Sequence, residues 1–301
     1  MLRALLGILV AAVALTFCSW QTGEAAGPAG PAGIAGLAAW YRADAVPNAR
    51  DGDVVKRWDD SGPHKIPLEI SGGAPTFASR ALGGLPAVRF RAEQPASMQT
   101  PAPLPALAGN PGFTVFVVAN VARPKTQYAH PLGWGAPSGP GRGLFLEFEA
   151  GRVDLGTGFA ADATTAVESY ATCFGKPAIV TCVKSPGPMK SSTRIAYNGV
   201  WQTVSGSSVV PRVKETPLHV GGGSPSGYVC PAMDLAEVLL FTRPLKLEEQ
   251  NRVGYYLQQK YAIAGRFVEP DKFFAENMEI RVLPPEIAAA AGFAGKIGPG
   301  L

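Results

Sequence analysis

From Leu37 to Phe241 the chain is a succession of short β-type segments, and no helical pattern separates them. LAAWYRA, VVKRWDD, IPLEI, AVRFRA, FTVFVVANV, GLFLEFEAG, RVDLG, AIVTCVK, TRIAYN, VWQTV, LHVGG and LAEVLLF are rich in Val, Ile, Phe and Tyr. Turn-forming stretches such as SGP, NPG, SPGP, NG and GGGSPSG bound them. Parallel strands need long crossovers, usually helical, so their absence restricts the chain to antiparallel pairing. The expected class is all-β, a two-sheet antiparallel sandwich. At 301 residues and 47% hydrophobic content, one large core is within reach.

Two local features are sharper. In RIAYNGVWQTV, Asn198-Gly199 accepts the positive φ values of a two-residue hairpin turn between alternating strands. In AEVLLFTRPLKLEEQNRVGYYLQQKYAI, the near-continuous apolar run LAEVLLF reads as a strand covered on both sides, broken at Arg243-Pro244. Leu247, Val253, Leu257 and Tyr261 then recur at helical spacing, predicting one C-terminal helix near 247–261 packed on the sandwich. Glu248 and Arg252 are spaced for an i,i+4 pair. Glu249 is placed to cap the first turn, although Lys246 is a poor N-cap residue.

The ends read differently. MLR followed by ALLGILVAAVALTF has the form of a signal peptide over residues 1–25, with Gly23 and Ala25 at the −3 and −1 positions. An uncleaved anchor and a lipoprotein signal at Cys18 are the alternatives. The expectation is an exported chain, secreted, periplasmic or on the cell surface, with no membrane span after cleavage. Residues 26–36 repeat Gly every third position and read as a stiff linker. Residues 265–301 show no clear period and read as an extension or partly mobile tail. Cleavage leaves Cys173, Cys182 and Cys230, so at most one internal disulfide forms. Cys173 and Cys230 both flank turns and are the candidate pair, whereas Cys182 reads as a buried thiol.

Charge narrows the function. There are 27 Lys+Arg against 23 Asp+Glu, a net +4, with the basic residues dispersed. Nucleic-acid binding needs clustered Lys and Arg interleaved with aromatics, and no such footprint is present in the sequence.

The order of segments resembles a known family. LAAWYRADAV, DGDVVKRWDDSGPHKIPLE and APTFASRALGGLPAVRFRA are similar to the opening of bacterial LamG-like jelly-roll domains of the concanavalin A-like lectin/glucanase superfamily. FTVFVVANV, AIVTCVK, TRIAYNGV, LHVGGGSPSGY and the terminal strand and helix continue the resemblance over residues 37–264. It implies a jelly-roll sandwich and leaves the chemistry open, because the superfamily includes lectins, accessory modules and glycosidases.

Enzymes of the superfamily carry carboxylates on the open face of one sheet. In GLFLEFEAG, alternation gives Leu144, Leu146 and Phe148 to the core and Phe145, Glu147 and Glu149 to the other face. Residues two apart on a strand stand roughly 7 Å from each other, within reach of paired glycosidase carboxylates. Gly151 stands where the resemblance asks for a third acid, so no catalytic residue is assigned. His64, His130 and His219 lie in unrelated segments, and each reads as a surface or hydrogen-bonded histidine. Asp51 with Asp53, and Asp59 with Asp60, read as turn residues, with calcium the alternative.

For sugar binding the candidates are Trp134 and Arg142 in AHPLGWGAPSGPGRG and Tyr228 in SPSGYVC. Trp40 and Trp58 read as packing residues. The resulting expectation is an exported, non-catalytic binding module for carbohydrate or another envelope polymer. The alternatives are a structural component of the envelope with protein partners and a glycoside hydrolase.

Overall fold

The computed structural model describes residues 30–122, 128–135, 144–149, 152–156, 163–165, 174–221 and 232–273. Strands dominate, and all their ladders are antiparallel. In chain order they are β1 Leu37–Arg42, β2 Arg57–Trp58, β3 Leu68–Gly72, β4 Thr76–Leu82, β5 Leu85–Phe90, β6 Ser97–Pro103, β7 Phe113–Val121, β8 Tyr128–Trp134 and β9 Leu144–Glu149. They continue as β10 Arg152–Gly156, β11 Ala163–Thr165, β12 Ala178–Lys184, β13 Thr193–Tyr197, β14 Val200–Trp201, β15 Val204–Gly206, β16 Pro217–Gly221 and β17 Met233–Phe241. An eight-stranded sheet runs β14-β13-β12-β7-β17-β5-β4, with β1 added to β17. A nine-stranded sheet runs β15-β11-β10-β9-β8-β16-β6-β3-β2. The fold is therefore the expected two-sheet all-β sandwich.

Strands β4, β6, β8 and β11 were not among the segments read from the sequence. Both β6 and β8 carry proline, which cannot donate to a ladder. In β8, Pro131 falls at a register shift between Ala129 and Leu132, so the strand sits inside the sheet with its ladder locally interrupted. VVKRWDD contributes only the two residues of β2.

The Asn198-Gly199 turn forms as expected, with φ of 47° and 80° joining β13 to β14. Cys182 is buried in β12. Helix α1, Leu247–Lys260, also forms as expected. Glu249 Oε2 accepts the Lys246 N–H at 2.8 Å, and its carboxylate holds Arg243 through two hydrogen bonds. The N3 carboxylate thus satisfies the N-cap backbone N–H, the half of a capping box that does not need a polar N-cap side chain. Arg252 reaches across to the carbonyl of Gly30 at 3.3 Å.

Strand β17 explains why a helix packs on the sandwich. One set of its side chains, Leu235, Val238 and Leu240, enters the core between the sheets. The other, Ala236, Leu239 and Phe241, lies under α1 with Val253, Leu257 and Tyr261. A bulge between Leu235 and Glu237 places an extra residue in β17 opposite β7. Glu237 is fully buried and accepts from Trp40 Nε1 at 2.5 Å, Lys260 Nζ at 2.7 Å and Tyr261 Oη at 2.8 Å.

The ends of the sandwich are better anchored than their sequences suggest. Over residues 30–36 the stretch read as a linker is docked: Ile34 is buried, and Arg243 Nε donates to the Ala35 carbonyl at 2.9 Å. Past residue 264 the chain is tied back onto α1. Asn251 exchanges two hydrogen bonds with the backbone of Val268, at 2.8 and 3.0 Å. Gln258 does the same with Phe267, at 3.0 and 3.3 Å.

Candidate functional site

The residues singled out for sugar binding do not assemble into a site among the described residues. Arg142 and Tyr228 lie outside them, as do Cys173 and Cys230. Trp134 is described, and its indole is only 2% exposed. Strand parity is the reason. Leu132 pairs with Val220 on the core side, and Trp134, two residues on, shares that side. It meets Phe113 edge to face at 5.1 Å between centroids, and its Nε1 donates to the Leu107 carbonyl at 3.1 Å. An indole so enclosed offers no platform, which corrects the expectation for Trp134. Trp40 and Trp58 are buried, as read.

Among the four described tryptophans, Trp201 is the one at the surface, 37% exposed. It follows the Asn198-Gly199 turn and pairs with Ala196 on the edge of the eight-stranded sheet. Ile195 and Tyr197 enter the core, so Ala196 and Trp201 fall on the opposite face. The Arg194 guanidinium stacks over the indole, 3.9 Å from its centroid. Val200, Val209 and Val210 are exposed nearby in sequence. The hairpin register carried this information: counting back from the turn sets Trp201 across from Ala196 and off the core face.

The nine-stranded sheet has its own outward row. Register aligns Arg57, Glu69, Gln99, His219, Gly133, Phe145 and Gly156 on adjacent strands. The neighbouring row, Met98, Val220 and Leu132, belongs to the core. Arg57 bonds Asp59 at 2.6 Å and Glu69 at 3.1 Å. His219 departs from its expected role. It is 7% exposed, and its Nδ1 has no hydrogen-bond partner among the described residues. Burial pulls its pKa below the usual histidine value.

Glu147 and Glu149 lie two residues apart on β9. Register sets Asp154 of β10 directly across from Glu147. An acidic residue thus stands at the facing register position of the neighbouring strand, which linear spacing could not reveal.

The acidic turns are engaged by the protein itself. Asp60 accepts from the N–H groups of Trp40 at 2.8 Å, Gly62 at 2.6 Å and Ile66 at 3.1 Å. Asp51 takes the backbone and hydroxyl of Ser79, which hold its pKa below the ordinary value. Asp53 accepts from Arg50 N at 2.8 Å. Among the described residues no helix is long and apolar enough to cross a membrane.

No protein-family profile matches this sequence, and no curated protein does. Among solved structures the chain is similar to Trypanosoma rangeli sialidase bound to 2-keto-3-deoxy-D-glycero-D-galacto-2,3-difluoro-nononic acid, with 17% identity and a TM-score of 0.50. That match covers 75% of this chain and 33% of the sialidase, so the chain spans about a third of the sialidase's length. It is also similar to the binding domain of Paraclostridial Mosquitocidal Protein 1, with 11% identity, a TM-score of 0.45, and 69% and 51% of the two chains covered. A third is domain 4 of AbnA, a GH43 extracellular arabinanase from Geobacillus stearothermophilus, in complex with arabinotriose. There the identity is 13%, the TM-score 0.43, and the coverage 72% and 96%. The sialidase likeness is one of fold, a β-sandwich.

Proposed function

We propose that the chain is an exported, non-catalytic module that binds carbohydrate or a related extracellular polymer, with Trp201 and Arg194 as its contact platform. The observation that carries this reading is the exposure of Trp201 with a guanidinium stacked on its ring. An exposed aromatic supplies the apolar face that sugar rings pack against, and the adjacent arginine supplies hydrogen-bond donors. The LamG-like segment order and the fold likeness to part of a sialidase support the same class. The signal-like N-terminus supports an exported location, secreted, periplasmic or at the cell surface.

The test is a glycan and polysaccharide screen of the purified chain, with and without calcium. Trp201→Ala is expected to weaken binding by roughly 1–3 kcal/mol. Binding that survives both Trp201→Ala and Arg194→Ala overturns the platform.

One observation favours a second reading, protein interaction within the envelope. Val200, Val209 and Val210 are all exposed, and aliphatic surface suits a protein partner better than a glycan. A screen empty of glycans, with Trp201→Ala abolishing capture of a specific envelope protein, selects that reading. Glycan turnover abolished by Glu147→Gln would replace both with a hydrolase.

A further inference from the structure

A cleft of about 850 Å³ lies apart from the Trp201 platform. Its walls are the docked N-terminal stretch Ala32–Ala38, the turn Ser61–Ile66, the short segment Leu104–Ala106, and the side chains of Trp40 and Thr242. The volume is that of small-molecule pockets, roughly 300–1,000 Å³. Apart from Ser61, His64, Lys65 and Thr242, every lining residue is apolar or glycine. That composition suits an acyl chain and supplies too few polar groups for a sugar.

The charge in the lining has one sign. Among the described residues, His64 and Lys65 are its only ionisable ones, both are exposed, and no carboxylate lines the cleft. Asp60 lies behind the turn, and its two oxygens are taken by the N–H groups of Trp40, Gly62 and Ile66.

The turn that carries the two basic residues is held under strain. Lys65 has φ of 55°, a left-handed conformation that non-glycine residues rarely adopt. Asp60 fixes the turn from within, and the buried Tyr41 hydroxyl donates to the Ile66 carbonyl at 2.9 Å. Glycine at position 65 would hold the same turn at lower cost. Strain of this kind persists where surrounding bonds over-determine it, and it gathers at binding sites. His64 makes no hydrogen bond among the described residues, which leaves its ring free at the rim.

We propose that this cleft binds an anionic amphiphile, a long-chain carboxylate free in solution. Its chain lies along Ile34, Leu37, Leu104 and Trp40, and its head is held at His64 and Lys65. This is a second binding activity, independent of the polymer-binding reading.

The test is a titration of the purified full chain with a dansyl-labelled fatty acid below its micelle concentration. Saturable binding is expected, together with a change in tryptophan emission that disappears in Trp40→Phe. Lys65→Gly relieves the strained backbone and keeps the fold, yet is expected to weaken binding about tenfold, the loss of one charge-assisted contact. Added salt should weaken wild type more than this variant. Ala106→Trp, at an exposed wall position, should block the cleft while leaving the melting temperature near wild type. A fatty alcohol of the same length should bind about tenfold more weakly. No saturable binding, or full affinity in Ala106→Trp, overturns the proposal. Equal affinity for the alcohol removes its anionic half. Sedimentation with anionic phospholipid vesicles, without binding of the free probe, replaces it with a membrane surface.

Discussion

The ring of Phe267 occupies the space that any side chain at Gly254 would need. A Cβ at Gly254 would overlap three carbons of that ring. Asn251 and Gln258 flank this glycine on α1 and grip the backbone of Val268 and Phe267, so the chain beyond the helix is laid back along it. Phe267 joins Val253, Leu257 and Tyr261 in the cluster beneath.

Gly254→Ala should therefore destabilise the protein, by about 1–3 kcal/mol for an overpacked site. In a Phe267→Ala background the sign should reverse, because alanine is the better helix former by up to about 1 kcal/mol. Denaturant titrations of the double-mutant cycle measure this coupling. Equal effects of Gly254→Ala in both backgrounds would contradict the contact.

Glu237 should be the least replaceable charge in the fold. It is fully buried, and three donors converge on it from β1, the end of α1 and Tyr261. Glu237→Ala leaves the Lys260 ammonium, itself only 13% exposed, with Asp44 at 3.0 Å as its remaining acidic partner among the described residues, and also unpairs Trp40 Nε1, so it should cost about 3–5 kcal/mol. Glu237→Gln keeps an acceptor and should cost less. Thermal melts of the two variants give the comparison.

Stability should rise with pH just above neutrality. Lys184 is fully buried, and its amine donates to the carbonyls of Ser185 and Gly187, with no carboxylate paired to it among the described residues. Burial pushes its pKa down from 10.5 to about 8. From pH 8 to 10.5 the unfolded chain holds a proton that the folded chain has released, so stability increases with pH. Cys182 works in the opposite direction. Burial pushes its thiol up from 9.0 to about 12, so above pH 9 only the unfolded chain loses that proton. The expected outcome is a gain of under about 1 kcal/mol between pH 8 and 9, then a plateau. Lys184→Met should abolish the gain, and Cys182→Ala should extend it towards pH 10.5. Denaturation midpoints across this range check both.

The two tryptophans should separate stability from binding. Trp134→Ala empties a core site and removes the bond to Leu107, costing about 3–5 kcal/mol. Trp201→Ala removes only a surface stack and should cost about 0.5–1 kcal/mol. Melting curves set beside binding isotherms distinguish these roles. A stable Trp134→Ala variant would contradict its placement in the core.

The sequence by itself determined what depends on neighbours along the chain. The Asn198-Gly199 turn, the β-branched and aromatic runs of β7 and β12, and the helical spacing of Val253, Leu257 and Tyr261 are local patterns, and each forms as read. Tertiary structure decided how much protein stands in front of each face. Trp134 and Trp201 both lie on strands. One faces a second sheet, and the other stands on an edge strand of two residues, with 37% of its surface in solvent. Glu237 sits in a run that reads as core, and only a bulge in β17 and the arrival of Lys260 from the far end of α1 give its charge a partner. Asp154 comes opposite Glu147 through strand pairing, and the Ser61–Ile66 turn meets Ala32–Ala38 through packing of the N-terminal stretch. Backbone propensity acts over a few residues, whereas burial, pairing and clefts arise from segments distant in sequence, so the elements were legible and the sites were not.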